Sequence, residues 1–360
     1  MVSTEKTFTD CQYCSLISQR NQEDPIGTAG TYDHWLILEL KQPWSPTMWV
    51  EDPKLQPLVN LIKQLLLRKG IRIRPIAIAP DREYSQPGYT RLFYYHRPAR
   101  LFAEYEKQEF IVPETDLIPL AISLLSSLTG KSQKLSTLRT YQQQTSHIRE
   151  ILVCTHANVD LACGRFGYPL YKELRSHYAA NSQGQLRVWR TSHFGGHQFA
   201  PTLIDLPEGR YWGHLTLEVL NSLIYRTGAT ENMGQFYRGW AGLGKFAQIA
   251  EREVWQQEGW SWLNYPKAGQ VFKLEGPGII PYLYRGLQRI PSQRLQLLLE
   301  RWENKATGAW VRLESVKDGV TTTYQAKVEI SGQVNTALHS GKEIALSRVN
   351  QYRVSDFIEI

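Results

Sequence analysis

Between residues 151 and 225 the chain alternates in an order that few architectures accommodate. Residues 151–155 form an apolar run that reads as a strand, a helix is expected from about Tyr168 to Ala180, and residues 186–191 read as a second strand. Two shorter strands are expected near residues 200–206 and 211–214, ahead of a helix at residues 217–225. Strand, helix, strand, then a hairpin and a helix describe a compact sheet carrying helices, an α/β (α+β) architecture of the kind seen in thioredoxin-like domains.

The preceding segment has a comparable order. A strand at residues 34–40 is followed by a helix in which Leu55, Leu58, Leu61, Ile62, Leu65 and Leu66 recur at helical spacing and Gly70 supplies the stop. Strands are expected within residues 71–80 and 91–98, and a helix over 113–128. A polar stretch, residues 131–147, then interrupts the hydrophobic pattern as an exposed connection would. The expected organisation is an N-terminal α/β domain over 1–130, a linker over 131–147, the sheet domain over 148–226, and a C-terminal helical and β-hairpin region over 227–360. The shared order is compatible with a diverged duplication. In the last region a Trp-rich helical stretch is expected over 235–257 and another helix over 295–302, while Asp318-Gly319 between alternating runs signals a hairpin.

The chemistry-bearing residues concentrate in the second segment. Cys154 closes a predicted strand, Cys163 follows in a predicted loop, and His193 and His197 flank Gly195-Gly196. The two glycines disfavour a helix and favour a turn on which two imidazoles converge. Two soft thiolates with two imidazoles suit tetrahedral zinc or a two-iron cluster, and the spacing by itself favours structural zinc, because it lacks the short repeats of iron-sulfur cysteine runs. A buried strand cysteine and loop histidines without a ligand role are the plainer alternative.

The runs CTHANVDLACGRFGYPL and HFGGHQFAPTLIDLPEGRYWGHL, together with CQYCSL and DPIGTAG nearer the start, resemble the sucrase/ferredoxin-like family. That resemblance implies a thioredoxin-like ferredoxin carrying a [2Fe-2S] cluster, with Cys154, Cys163, His193 and His197 at the ligand positions, and hence an electron carrier served by another redox protein. Imidazole ligands raise the potential relative to an all-cysteine cluster, and their second ring nitrogens can couple reduction to protonation, so the potential is expected to fall as pH rises. His156 and His214 lie in similar surroundings and read as supporting residues. Arg165 reads as an exposed loop residue.

Other readings compete. The same ligands would serve a zinc-stabilised binding or scaffold protein, and Cys11 and Cys14 have the spacing of a thiol oxidoreductase motif, although only ten mostly polar residues precede them. Sucrase activity is not expected, since Asp160, Asp205 and Glu208 read as turn or capping residues and no opposed carboxylate pair stands out. No nicotinamide or flavin fingerprint is evident. The net charge is +7, but up to Pro113 there are 14 basic against 13 acidic residues, and the excess beyond is diffuse. Nucleic-acid binding is therefore not expected. The longest apolar run, residues 117–128, is too short to span a bilayer, and no leader opens the chain, which reads as cytoplasmic.

Overall fold

The computed structural model describes residues 12–130, 140–290 and 292–360. After the short helix α1 (Cys14–Arg20) the first half runs β1 (His34–Glu39), α2 (Met48–Glu51), α3 (Gln56–Lys69), β2 (Ile73–Ile78), β3 (Tyr89–His96), β4 (Glu106–Pro113) and α4 (Leu117–Ser127). β1 and β2 are parallel, and β3 and β4 are added antiparallel on the far side of β1. Gly70 ends α3 in the left-handed region (φ 72°), where a glycine has no Cβ to clash.

The second half repeats this plan with β6 (Arg149–Cys154), α5 (Leu161–Glu173), β7 (Leu186–Thr191), β8 (Leu203–Leu206), β9 (Arg210–Trp212) and α6 (Leu220–Tyr225). Again the first two strands are parallel and the next two join antiparallel on the other side. Each half thus has the strand order second, first, third, fourth. A two-residue strand, β5 (Gln142–Gln143), lies within the polar connection and borders β4, and β10 (Tyr237–Trp240) borders β9. All ten belong to one mixed sheet.

The halves meet at a single β2–β7 pair, Ile78 with Thr191. In a flat sheet β7 and β4 would stand about 19 Å apart, at nearly 5 Å per strand. Yet Arg187 of β7 donates to both oxygens of Glu109 of β4, Phe93 of β3 meets Trp189 of β7 with ring centroids 5.8 Å apart, and Trp35 of β1 meets Tyr211 of β9, also at 5.8 Å. The sheet therefore bends at the β2–β7 junction and closes on itself, burying one face of each half against the other. Within that core Glu109 and Glu150 are paired with Arg91, Lys107 and Arg187. The outer face of the first half, including Leu36, Leu38, Leu92 and Phe110, is covered by α3 and α4 through Leu58, Leu65, Leu120 and Leu124.

The remainder comprises α7 (Lys245–Glu258), β11 (Lys267–Glu275), α8 (Ile280–Leu287), α9 (Gln293–Lys305), β12 (Gly308–Lys317), β13 (Val320–Ala337) and β14 (Leu346–Glu359). Its strands form a second, antiparallel sheet in chain order. The expected hairpin turn is present, with Asp318 and Gly319 both at positive φ. Three expectations need correction. The helix placed at residues 168–180 begins at Leu161, so Cys163 lies in its first turn and not in a loop, because Asp160 caps it. Residues 237–240 of the expected helical stretch 235–257 are strand β10, paired to β9. β4 was not foreseen, since its Glu, Lys and Gln residues disguise a strand whose charges are satisfied inside the fold. No described helix is long and apolar enough to cross a membrane.

Candidate metal centre

The carboxyl ends of β6 and β7 carry the site. Cys154 is the last residue of β6, and α5 starts seven residues later with Asp160 as its cap, accepting from the Ala162 N–H at 2.8 Å. Helix and strand end pack closely because two glycines allow it: a Cβ on Gly167 would run into the Cys154 carbonyl, and one on Gly164 into Ala157. This packing brings Cys163 beside Cys154, and both thiols are buried, each 1% exposed.

His193 lies two residues beyond the end of β7. Its Nδ1 lies 3.7 Å from the Cys154 sulfur and 3.8 Å from that of Cys163, so the three donors form one compact group. The loop bearing His193 is held from several sides. Ser192 donates to the Ala77 carbonyl at 2.8 Å, Arg74 donates to the His193 carbonyl at 3.0 Å, and Arg238 donates to the Gly195 carbonyl at 3.0 Å. The His193 N–H donates to Nδ1 of His156 at 3.2 Å, while Nε2 of His156 faces the Trp44 carbonyl at 3.0 Å. A carbonyl only accepts, so Nε2 of His156 carries the proton and Nδ1 accepts. His156 is thus a strut between the first half and the His193 backbone.

Gly195 and Gly196 form the anticipated turn, at φ 98° and 78°, and the Arg238 guanidinium occupies the space a Cβ on Gly196 would need. The turn sets the rings of His193 and His197 5.4 Å apart. His197 nevertheless belongs to a second group. Its Nδ1 is 3.3 Å from Asp160 and 3.4 Å from the sulfur of Cys14. Cys14, Asp160, His339 and Ser340 complete a surround that sequence reasoning did not assemble. Ser340, in the connection between β13 and β14, donates from its N–H and its hydroxyl to Asp160, and the His339 ring stacks on His197 at 4.8 Å. More than a hundred residues separate Cys14, Asp160 and the adjacent pair His339 and Ser340 from one another in the chain, so no local pattern marks them.

Burial and hydrogen bonding set the protonation states. The Cys163 thiol donates to Cys154, which holds the Cys154 thiol well below its ordinary range, and His193 acts in the same direction. The same bond and then burial push Cys163 upward. The pair therefore resembles a thiolate with its thiol partner, already suited to a cation. Burial lowers His197 to about 4 and raises Cys14 to about 12. At Asp160 burial works upward, but the bonds from Ser340 and the Ala162 N–H outweigh it and keep the carboxylate ionised.

The other candidates fall elsewhere. His214 is buried, with Nε2 3.0 Å from the Ser18 hydroxyl, and Arg165 is exposed. Asp205 pairs with Arg149 and Glu208 with Arg226, which accounts for both carboxylates without a reaction. Cys11 lies outside the described residues.

The family model described as sucrase/ferredoxin-like matches residues 25–239. The chain belongs to the sucrase/ferredoxin-like family. No curated protein and no solved structure matches it. The sucrase/ferredoxin-like match contains all four sequence-predicted ligands and both halves of the bent sheet, and it ends within β10. Cys14, His339 and Ser340 therefore reach the site from outside the matched segment.

Proposed function

We propose that the chain is an electron carrier holding a [2Fe-2S] cluster through Cys154, Cys163, His193 and His197, in a second half with thioredoxin-like topology. The observation that carries this reading is the convergence of two buried thiols and the His193 Nδ1 in one compact group. The strand order of the second half and the α5 crossover support the fold reading. Soft thiolates and imidazoles are the donor set such a cluster takes, and the fourth donor stands apart from the compact trio, which suits a group wider than a single ion. When bound, the cluster supplies one-electron transfer at a potential raised by its imidazole ligands.

The chain's own residues hold and shield the site. α5 and β6 fix the two sulfurs, while Arg74, His156 and Arg238 fix the backbone of the histidine loop. The Asp160 carboxylate 3.3 Å from Nδ1 of His197 favours a proton on that nitrogen, which would leave Nε2 for ligation. Proton-coupled reduction would use the outward nitrogen of a ligating imidazole. An external redox protein is the expected partner, and a cytoplasmic setting is the expected one.

A second reading has its own support. The S···N separations of 3.7 and 3.8 Å in the trio are close to those between ligands of one tetrahedral ion, which suits structural zinc in a binding or scaffold protein. Thiol oxidoreductase chemistry draws less support, because burial keeps the Cys14 thiol protonated. Metal and sulfide analysis of anaerobically purified protein separates the readings. About two iron and two acid-labile sulfides per chain are expected; one zinc without sulfide would replace the electron-carrier reading by the structural one.

A further inference from the structure

Of eighteen large apolar side chains that stand exposed among the described residues, five fall within residues 279–290: Ile279, Ile280, Tyr282, Leu283 and Ile290. Single exposed apolar residues are ordinary, whereas such a concentration marks a surface that something covers. α8 holds these residues outward because its other side is anchored. Tyr284 is buried and its hydroxyl donates to Glu303 of α9 at 2.6 Å, and the Gln288 amide donates to the Phe272 carbonyl of β11 at 3.0 Å. Ile279, Tyr282 and Leu283 follow i, i+3, i+4 spacing, so they share a side that lies about 150° around the helix from Tyr284.

Charge identifies what this face meets. Residues 276–299 contain Arg285, Arg289 and Arg294 and no aspartate or glutamate. The carboxylates that bound this segment are engaged elsewhere: Glu275 accepts from the Trp310 indole at 3.2 Å, Glu300 pairs with Arg72, and Glu303 takes the Tyr284 hydroxyl. Arg285 and Arg289 are exposed and form no ion pair among the described residues. A two-fold contact with a second copy would set the same arginines against each other without a carboxylate between them. The face is also convex, since Ile279 and Tyr282 project with 70% and 81% of their surface exposed. A fluid headgroup layer receives a convex apolar tip without a matching groove, and a tyrosine ring suits its boundary.

We infer that this face of α8 seats the protein on the surface of an anionic lipid bilayer, with Ile279, Tyr282 and Leu283 entering the headgroup boundary and Arg285 and Arg289 meeting lipid phosphates. The contact is peripheral and reversible, and it is independent of what the metal centre holds.

The test is cosedimentation of the full chain with phosphatidylcholine vesicles containing about one-third phosphatidylserine, against vesicles of phosphatidylcholine alone. Saturable binding to the anionic vesicles is expected, weaker by about tenfold or more on the neutral ones and weakened by added salt. Arg285→Gln with Arg289→Gln is expected to lower binding by about tenfold or more, and Ile279→Ser with Tyr282→Ser by a similar factor, each at an unchanged thermal midpoint because all four side chains are exposed. Should one pair fail to fold, the other carries the test. Absence of binding to anionic vesicles, equal binding to neutral ones, or indifference to a folded double variant would overturn the inference. So would a dimer in sedimentation velocity that Ile279→Ser with Tyr282→Ser dissociates, which would give the face to a second copy.

Discussion

Ser340 and Asp160 lie 180 residues apart and meet through two hydrogen bonds, the Ser340 N–H and hydroxyl donating at 2.8 and 2.7 Å to the two carboxylate oxygens. Asp160 also caps α5, the helix that carries Cys163, so the second sheet helps fix the end of that helix. The Ser340 hydroxyl further lies 3.3 Å from the Cys14 sulfur. Ser340→Ala is expected to cost about 1 to 2 kcal/mol, the value of hydrogen bonding to a buried charge. It should also speed alkylation of Cys14, followed by peptide mapping. Unchanged labelling would show that this connection does not cover the site.

Close packing of α5 on β6 gives a second prediction. Gly167→Ala sets a methyl group against the Cys154 carbonyl, and backbone cannot yield as a flexible side chain does. A loss of about 1 to 3 kcal/mol is expected, together with weaker metal retention. Arg165→Ala, at an exposed position of the same helix, should stay within about 0.5 kcal/mol in denaturant unfolding. Equal behaviour of the two variants would contradict the packing argument.

Acid sensitivity can be read at His34, remote from the metal centre. Burial lowers its pKa from 6.5 to about 4, against a smaller upward pull from Asp33, and its Nδ1 is 2.8 Å from the Tyr94 hydroxyl. The unfolded chain binds the extra proton first. The stability contributed by neutral His34 is therefore present above pH 6.5 and lost as pH falls toward about 4. Between pH 7 and 5 this amounts to about 1 to 2 kcal/mol. His34→Gln should flatten the urea midpoint over that interval, and an unaltered pH slope would exclude His34 as its source.

The two donor groups make different predictions for metal. Cys163→Ser is expected to reduce bound metal by about tenfold or more and to lower the thermal midpoint, since the folded state loses a ligand. Cys14→Ser should retain the metal, because Cys14 is not one of the four proposed ligands and its sulfur meets His197 at Nδ1, which leaves Nε2 of that ring for ligation. Loss of metal in Cys14→Ser at an unchanged fold would reassign the ligand set.

Local chemistry made much of the fold legible. Apolar runs marked β1, β6 and β7, Gly70 marked the end of α3, and Asp318-Gly319 marked the β12–β13 turn. The start of α5 was hidden because Gly164, Gly167 and Pro169 argue against a helix by propensity, whereas tertiary packing needs the two glycines there. β4 was hidden because Lys107 and Glu109 are neutralised by partners on other strands. At the site, Cys154, Cys163, His193 and His197 stood out by clustering in sequence. Cys14, Asp160 and Ser340 did not, since only the folded chain brings α1 and the β13–β14 connection to the cap of α5.

The central claim is tested most directly by electron paramagnetic resonance and visible absorption on anaerobically purified protein before and after dithionite. A coloured oxidised form that bleaches on reduction and yields a two-iron, one-electron signal, lost in Cys163→Ser, is expected. A colourless protein containing zinc, silent in both states, would contradict it.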